Sequence, residues 1–278
     1  MVVVKSMLSI KGKGEKRMSA KLFWKQFWVL FTFSLLGVFM IIPTIEITLS
    51  QVLKDIPNKP DLPLAVLAGL SLINPIILLI VAIVIGIFLT PRLGLKSHIV
   101  ENMARKAKLW PSLRSDINQA IMLGMMVAVI YYLFDLIFQQ WLPSSFHLNT
   151  QSRSLVVALG GIFYGGISEE IMMRWGLMSF VAWMGWRFFQ HGKNRPKPWI
   201  MWLSILISSL FFGVAHLGAN TVLAPLTWFI FFRMMLLNGI AGIVFGWLFW
   251  KRSLEAAMMA HATVHIVVTM IVWLKAMV

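Results

Sequence analysis

SEEIMMRW, Ser168 to Trp175, sets two glutamates side by side, with an arginine four residues after the second. The whole chain has only ten Asp and Glu. Whether this stretch is a polar loop or part of a membrane-crossing helix decides the fold. Its flanks, from about 154 to 186, are dominated by Val, Ala, Leu, Gly, Phe, Met and Trp. That run exceeds the roughly 18–20 residues needed to cross a hydrocarbon layer about 30 Å thick. The sequence predicts a transmembrane helix that carries two acids and a base.

Composition supports this reading. Of the 278 residues, 59% are hydrophobic and 13% charged. A soluble domain would need more polar surface. The expected fold is all-α, a polytopic bundle of transmembrane helices. The formal charge of +15 falls in short segments flanking the spans, which fits positive-inside topology and anionic lipid rather than nucleic acid. The absence of cysteine removes disulfides, thiol nucleophiles and thiolate metal sites.

Three regions are expected: a basic cytoplasmic segment 1–26, N-terminal transmembrane helices 27–150, and a C-terminal transmembrane region 151–278. The first 25 residues contain seven Lys and Arg and lead into a long span, so no cleavable signal peptide is expected. The spans are read at about 27–50, kinked near Pro43, then 62–89, 117–142, 154–186, 198–217, 222–250 and 254–274. The N-terminus and the basic loops around Arg92–Arg114 and Arg187–Lys197 fall on one side, expected to be the cytoplasmic face of the cell membrane. The segment 222–250 would be about 44 Å long as one helix and contains Arg233 and Asn238-Gly239. It reads either as one tilted helix or as two short ones.

Ionisable residues at bilayer depth call for an explanation. The in-span set is Glu46, Asp135, Glu169, Glu170, Arg174, His216, Arg233, His261 and His265. Glu46 reaches an interface, and Asp135 reads as an isolated structural hydrogen-bonding group near Tyr131 and Gln139. Glu170 and Arg174 have the i,i+4 spacing of an ion pair. Glu169 is left without a partner on its own helix, above a Gly161–Gly165 stripe that permits close approach. It is a candidate proton acceptor. His98, His147 and His191 read as ordinary loop residues. His261 and His265 lie one turn apart, as do Phe212 and His216.

Helix arithmetic compares heights. Glu169 precedes Arg187 by 18 residues, about 27 Å, and His216 follows Lys197 by 19, about 28 Å. His261 follows Arg252 by only nine, about 14 Å. His261 meets the others on this arithmetic only if 222–250 crosses twice, so eight spans are expected.

EEIMMR, Glu169 to Arg174, resembles the EExxxR motif of the CPBP family, which contains type II CAAX prenyl proteases and Abi-type, bacteriocin-processing membrane proteins. FGVAH, Phe212 to His216, resembles its FxxxH motif, and GIVFG (Gly242 to Gly246) with HATVH resembles its last two. The resemblance spans roughly 155–275 and implies an eight-helix intramembrane protease. It implies Glu169 as the base that activates water, helped by His216, with Glu170 and Arg174 orienting the site. His261 and the residue four later would stabilise the oxyanion. The family has Asn or Asp at that last position, where this chain has His265.

Peptide hydrolysis needs an activated water, a stabilised oxyanion and a proton for the leaving amine. Two schemes fit the residues: glutamate and histidine alone, or a zinc-type ion on Glu169 or Glu170 with His216 and His261. HATVH lacks the internal glutamate of HExxH. The substrate is expected to be a membrane-associated peptide, prenylated or bearing a leader. The alternative class is a membrane immunity protein or an ion- or proton-coupled transporter using the Glu/His cluster.

Overall fold

Ser19, Ser97, Ser154, Thr227 and Ser253 cap the helices that follow them through their hydroxyls. The computed structural model describes residues 18–54, 61–106, 108–146, 154–218, 221 and 224–277. Most of the basic N-terminal segment, and His147, lie outside the described residues. Helix α1 (Ala20–Met40) starts at Ser19, whose hydroxyl accepts the Leu22 amide at 3.2 Å. It breaks at Ile41, and α2 (Ile42–Val52) carries Pro43 in its first turn, where no amide is needed. The kink expected near Pro43 is therefore present. Helix α3 (Leu64–Ser71) leads through Leu72 into α4 (Ile73–Leu93), which ends on Gly94 at φ 76°. Short helix α5 (His98–Arg105) precedes α6 (Leu109–Phe138).

The next span begins as α7 (Leu155–Gly160) and widens into π-helical turns over Gly161–Glu169 and Ile171–Met178. It then resumes as α8 (Ser179–Gln190). Helix α9 (Pro198–Ala215) stops at His216, α10 is Trp228–Lys251, and α11 is Leu254–Ala276. Every regular element among the described residues is helical. Seven helices there are long and apolar enough to cross a membrane. Large apolar side chains such as Ile137, Leu210, Phe211 and Met270 face outward, as acyl chains permit.

The expectation of eight crossings is corrected at α10. Its 24 residues form one helix of about 36 Å. Asn238 does not break it, because its side-chain amide donates to the Met234 carbonyl one turn back at 2.9 Å. Nothing approaches the missing side chain of Gly239, so that glycine costs only its intrinsic preference of about 1 kcal/mol. The segment ahead of α10 is non-helical over 224–227, where Thr227 caps the helix.

The basic connections meet at one end of the bundle. The Leu254 amide donates to the Lys96 carbonyl at 3.0 Å, and Arg195 reaches the Pro91 carbonyl at 3.3 Å. Lys251 and Arg252 thus share an end with the loop after α4. The widened span lies centrally: α1 packs on Gly161–Glu169 and α4 on Ile171–Met178. Gly86 lets the Trp175 indole lie on α4, and the Ser168 hydroxyl donates to the Ser34 carbonyl at 2.7 Å.

Candidate active site

Glu170 and Arg174 are completely buried, while the Glu169 side chain keeps 18% exposure. The helical rotation between adjacent positions thus separates a sealed carboxylate from an open one. Glu170 Oε2 lies 3.2 Å from Arg174 Nε, the expected i,i+4 pair, though off the line of a good hydrogen bond. The guanidinium also donates from Nη2 to the Gly242 carbonyl at 3.3 Å. It lies over the rings of Phe212 and Phe245, 4.8 and 5.5 Å from their centres. An arginine in a dry interior is tolerated because an anion, a carbonyl and two aromatic faces surround it.

The other Glu170 oxygen receives His261. Nδ1 lies 2.8 Å from Oε1, and a carboxylate beside arginine can only accept, so Nδ1 carries the hydrogen. In the neutral ring this leaves Nε2 as the lone-pair nitrogen, and it faces Glu169 Oε2 at 3.9 Å. The sequence left Glu169 without a partner and looked to His216; its nearest base in the structure is His261. His216 is placed differently. It ends α9, its Nδ1 is 2.8 Å from the Phe212 carbonyl, and its ring meets Phe212 edge-on at 4.7 Å. Phe212 in turn meets His261 edge-on at 5.8 Å, so one phenyl ring contacts both imidazoles.

His265 stacks on His261, 5.1 Å between centres and 19° from parallel. It also explains the glycine stripe. A side chain on Gly161 would come within 2.7 Å of His265 Nδ1, and one on Gly165 within 2.6 Å of His265 Nε2 and 3.0 Å of His261 Nε2. The stripe read as permitting close approach is where α11 comes in, with these two imidazoles against it. Gly242 and Gly246 work alike on the other side, admitting Ser209 and Ile205 of α9.

The comparison of heights is also corrected. His261 is seven residues into α11, about 10 Å of helix from the end fixed to Lys96, with 15 residues beyond it. The site therefore lies nearer the basic end. Counting back from Arg187 overestimated the depth of Glu169, because the span containing it runs 36 residues and its π-helical turns rise less per residue.

Two other assignments change. Asp135 is not isolated: Arg233 Nη2 lies 2.7 Å from its Oδ1, linking α6 to α10. His98 is not an ordinary loop residue but is buried against Asp116 at 2.9 Å. His191 is exposed in the left-handed turn after α8, as its loop reading implied. Sequence reasoning did not single out Phe245 or the Gly242 carbonyl as walls of the arginine. The GIVFG spacing and the aromatic within it were the available signals.

Glu170 does not fit as a metal ligand, because its two oxygens face Arg174 and His261. The Nδ1 bond from His261 to Glu170 leaves Nε2 as that ring's ligating atom, on the side of Glu169. Among the described residues, no three His, Asp or Glu side chains gather as a metal-holding group.

Residues 151–267 match the family model described as Rce1-like, type II CAAX prenyl endopeptidase. The match spans less than half of the chain and contains every motif residue named above. The family read from EExxxR, FxxxH and HATVH is the family matched. Comparisons with curated proteins and with solved structures return no match.

Proposed function

We propose, starting from the Rce1-like character of residues 151–267, that this integral membrane protein is an intramembrane endopeptidase using water activated by Glu169. The observation that carries the reading is the 3.9 Å between Glu169 Oε2 and His261 Nε2. That gap is too long for a direct hydrogen bond. It suits one water donating a hydrogen to each acceptor. The family match favours proteolysis over the immunity or transport alternative.

In the proposed reaction Glu169 takes a proton from this water as its oxygen adds to the scissile carbonyl carbon. His261 orients the water, and its orientation is fixed through Nδ1 by Glu170, which Arg174 flanks at 3.2 Å. The resemblance assigned His261 to the oxyanion; a ring that presents Nε2 as an acceptor suits the water better. His265, stacked beside it, is the proposed N–H donor to the oxyanion, and His216 supports the Phe212 ring that packs on His261. Collapse of the tetrahedral adduct breaks the C–N bond, and the proton held by Glu169 goes to the leaving amine. The proposed substrate is a membrane-associated peptide, prenylated or leader-bearing, reaching the site from the basic, cytoplasmic side of the cell membrane.

The test is cleavage of fluorogenic membrane-anchored peptides, with and without a prenyl group, by protein reconstituted in vesicles. Wild type is expected to cut, and Glu169→Ala and His216→Ala to lose most of the activity. Equal cleavage by both variants would overturn the assignment. Chelation is expected to leave cleavage unchanged; loss of activity restored by zinc would show that a metal scheme operates instead.

A further inference from the structure

A second buried polar network lies at the basic end, outside every motif named above. Glu255, in the first turn of α11, accepts three hydrogen bonds from the segment that opens α5. The donors are the Ser97 hydroxyl at 2.5 Å, the His98 amide at 2.9 Å and the Ile99 amide at 3.0 Å. A carboxylate is well suited here, because it accepts only and lies at the positive end of α5. One residue pair back, the Ser253 hydroxyl caps α11 through the Ala256 amide at 3.1 Å and donates to Asp116 Oδ2 of α6 at 2.6 Å. The same Asp116 oxygen accepts His98 Nε2–H at 2.9 Å. With the bond from the Leu254 amide to Lys96, three consecutive residues, Ser253 to Glu255, tie the start of α11 to α6 and to the 96–99 segment. Ser97, His98, Asp116, Ser253 and Glu255 are all buried.

This network begins the helix that presents the active-site imidazoles. Glu255 is six residues from His261, about 9 Å along a rigid helix, and His265 is one turn further. The glycines facing His265 and His261 leave no room for α11 to slide or rotate without disturbing the histidines. We infer that Glu255, with Asp116 and Ser253, is a positioning residue: it fixes the height and rotation of α11 so that His261 meets Glu170 and faces Glu169. The inference rests on the proteolytic reading only for its kinetic consequence.

The test uses the full chain in vesicles and the variants Glu255→Gln, Glu255→Asp and Asp116→Asn. Glutamine keeps the shape but turns an amide donor toward at least one of the three donors. Two readouts are taken: the kcat and KM of peptide cleavage, and the 15N-coupled proton signal of His261 Nδ1, identified by its absence in His261→Gln. Glu255→Gln is expected to shift or broaden that signal. It is also expected to lower kcat by about tenfold, the scale of a sub-ångström misplacement, with KM within about twofold. Glu255→Asp, which keeps the charge, is expected to recover part of both. An unchanged His261 signal in Glu255→Gln overturns the inference, whatever the activity, and leaves Glu255 a local staple. If Glu255→Gln does not insert, the same two readouts in Asp116→Asn decide it in the same way. A shifted signal in a protein that cuts none of the peptides upholds the positioning role and counts instead against the proteolytic reading.

Discussion

His261 Nδ1 lies 2.8 Å from Glu170 Oε1 across 91 residues of sequence, while Nε2 of the same ring faces Glu169 Oε2 at 3.9 Å. One imidazole thereby joins two adjacent glutamates of unequal burial. The closer carboxylate is sealed between His261 and Arg174 and has no access to substrate. The more distant one retains exposure and is the proposed base.

This asymmetry separates the two acids experimentally. Glu169→Gln is expected to abolish cleavage while leaving thermal stability close to wild type, because Glu169 has no tight partner to lose. Glu170→Ala removes the anion from a fully buried guanidinium, and breaking a buried pair costs about 3–5 kcal/mol. Cleavage rates and detergent-resistant unfolding midpoints should therefore rank the two variants in opposite order of damage. Comparable stability losses in both would contradict the division of roles.

Gly165 faces two imidazoles at once. Gly165→Ala is expected to push His261 and His265 off α7 and its π-helical continuation, destabilising by about 1–3 kcal/mol as an overpacked contact. Activity should fall much further than stability, since the displaced groups are the proposed catalytic ones. Gly239→Ala, where no neighbour approaches the missing side chain, is the matched control and should be neutral or slightly stabilising. The unfolding midpoint and kcat of each variant decide the point.

Topology can be read directly in a chain with no cysteine. Single cysteines replacing Lys96, Lys193 and Lys251 are expected to react with an impermeant thiol reagent from the same face of sealed vesicles. The bond from Leu254 to Lys96 requires that shared face. Labelling of position 251 from the opposite face would restore the double crossing of 222–250.

The Asp135–Arg233 pair ties α6 to α10 away from the histidines. Asp135→Ala is expected to cost about 3 kcal/mol, at the low end for a broken buried pair because Arg233 keeps 15% exposure. The folded fraction should retain kcat within about twofold. A selective loss of kcat without a change in unfolding midpoint would place this pair in the reaction instead.

The Glu170–Arg174 pair was legible because i,i+4 spacing is a local property of a helix, and it survives the π-helical turns around it. The end of α9 was legible too, within two residues of the expected 198–217; the partner of Asp135 was not, since it does not depend on neighbours in sequence. Counting residues from the charged loops misjudged depth for a related reason. It presumes a uniform rise and spans of equal length, whereas the span holding Glu169 is both long and widened.

The sequence alone determined that this chain is a helical membrane protein. It also determined which few polar residues in the apolar spans required partners, because burial in lipid penalises every unpaired charge regardless of fold. Only the tertiary structure decided which partners they take. His261 rather than His216 stands between the two glutamates, and His265 fills the glycine groove, because α11 packs on the glycine surface of the widened span.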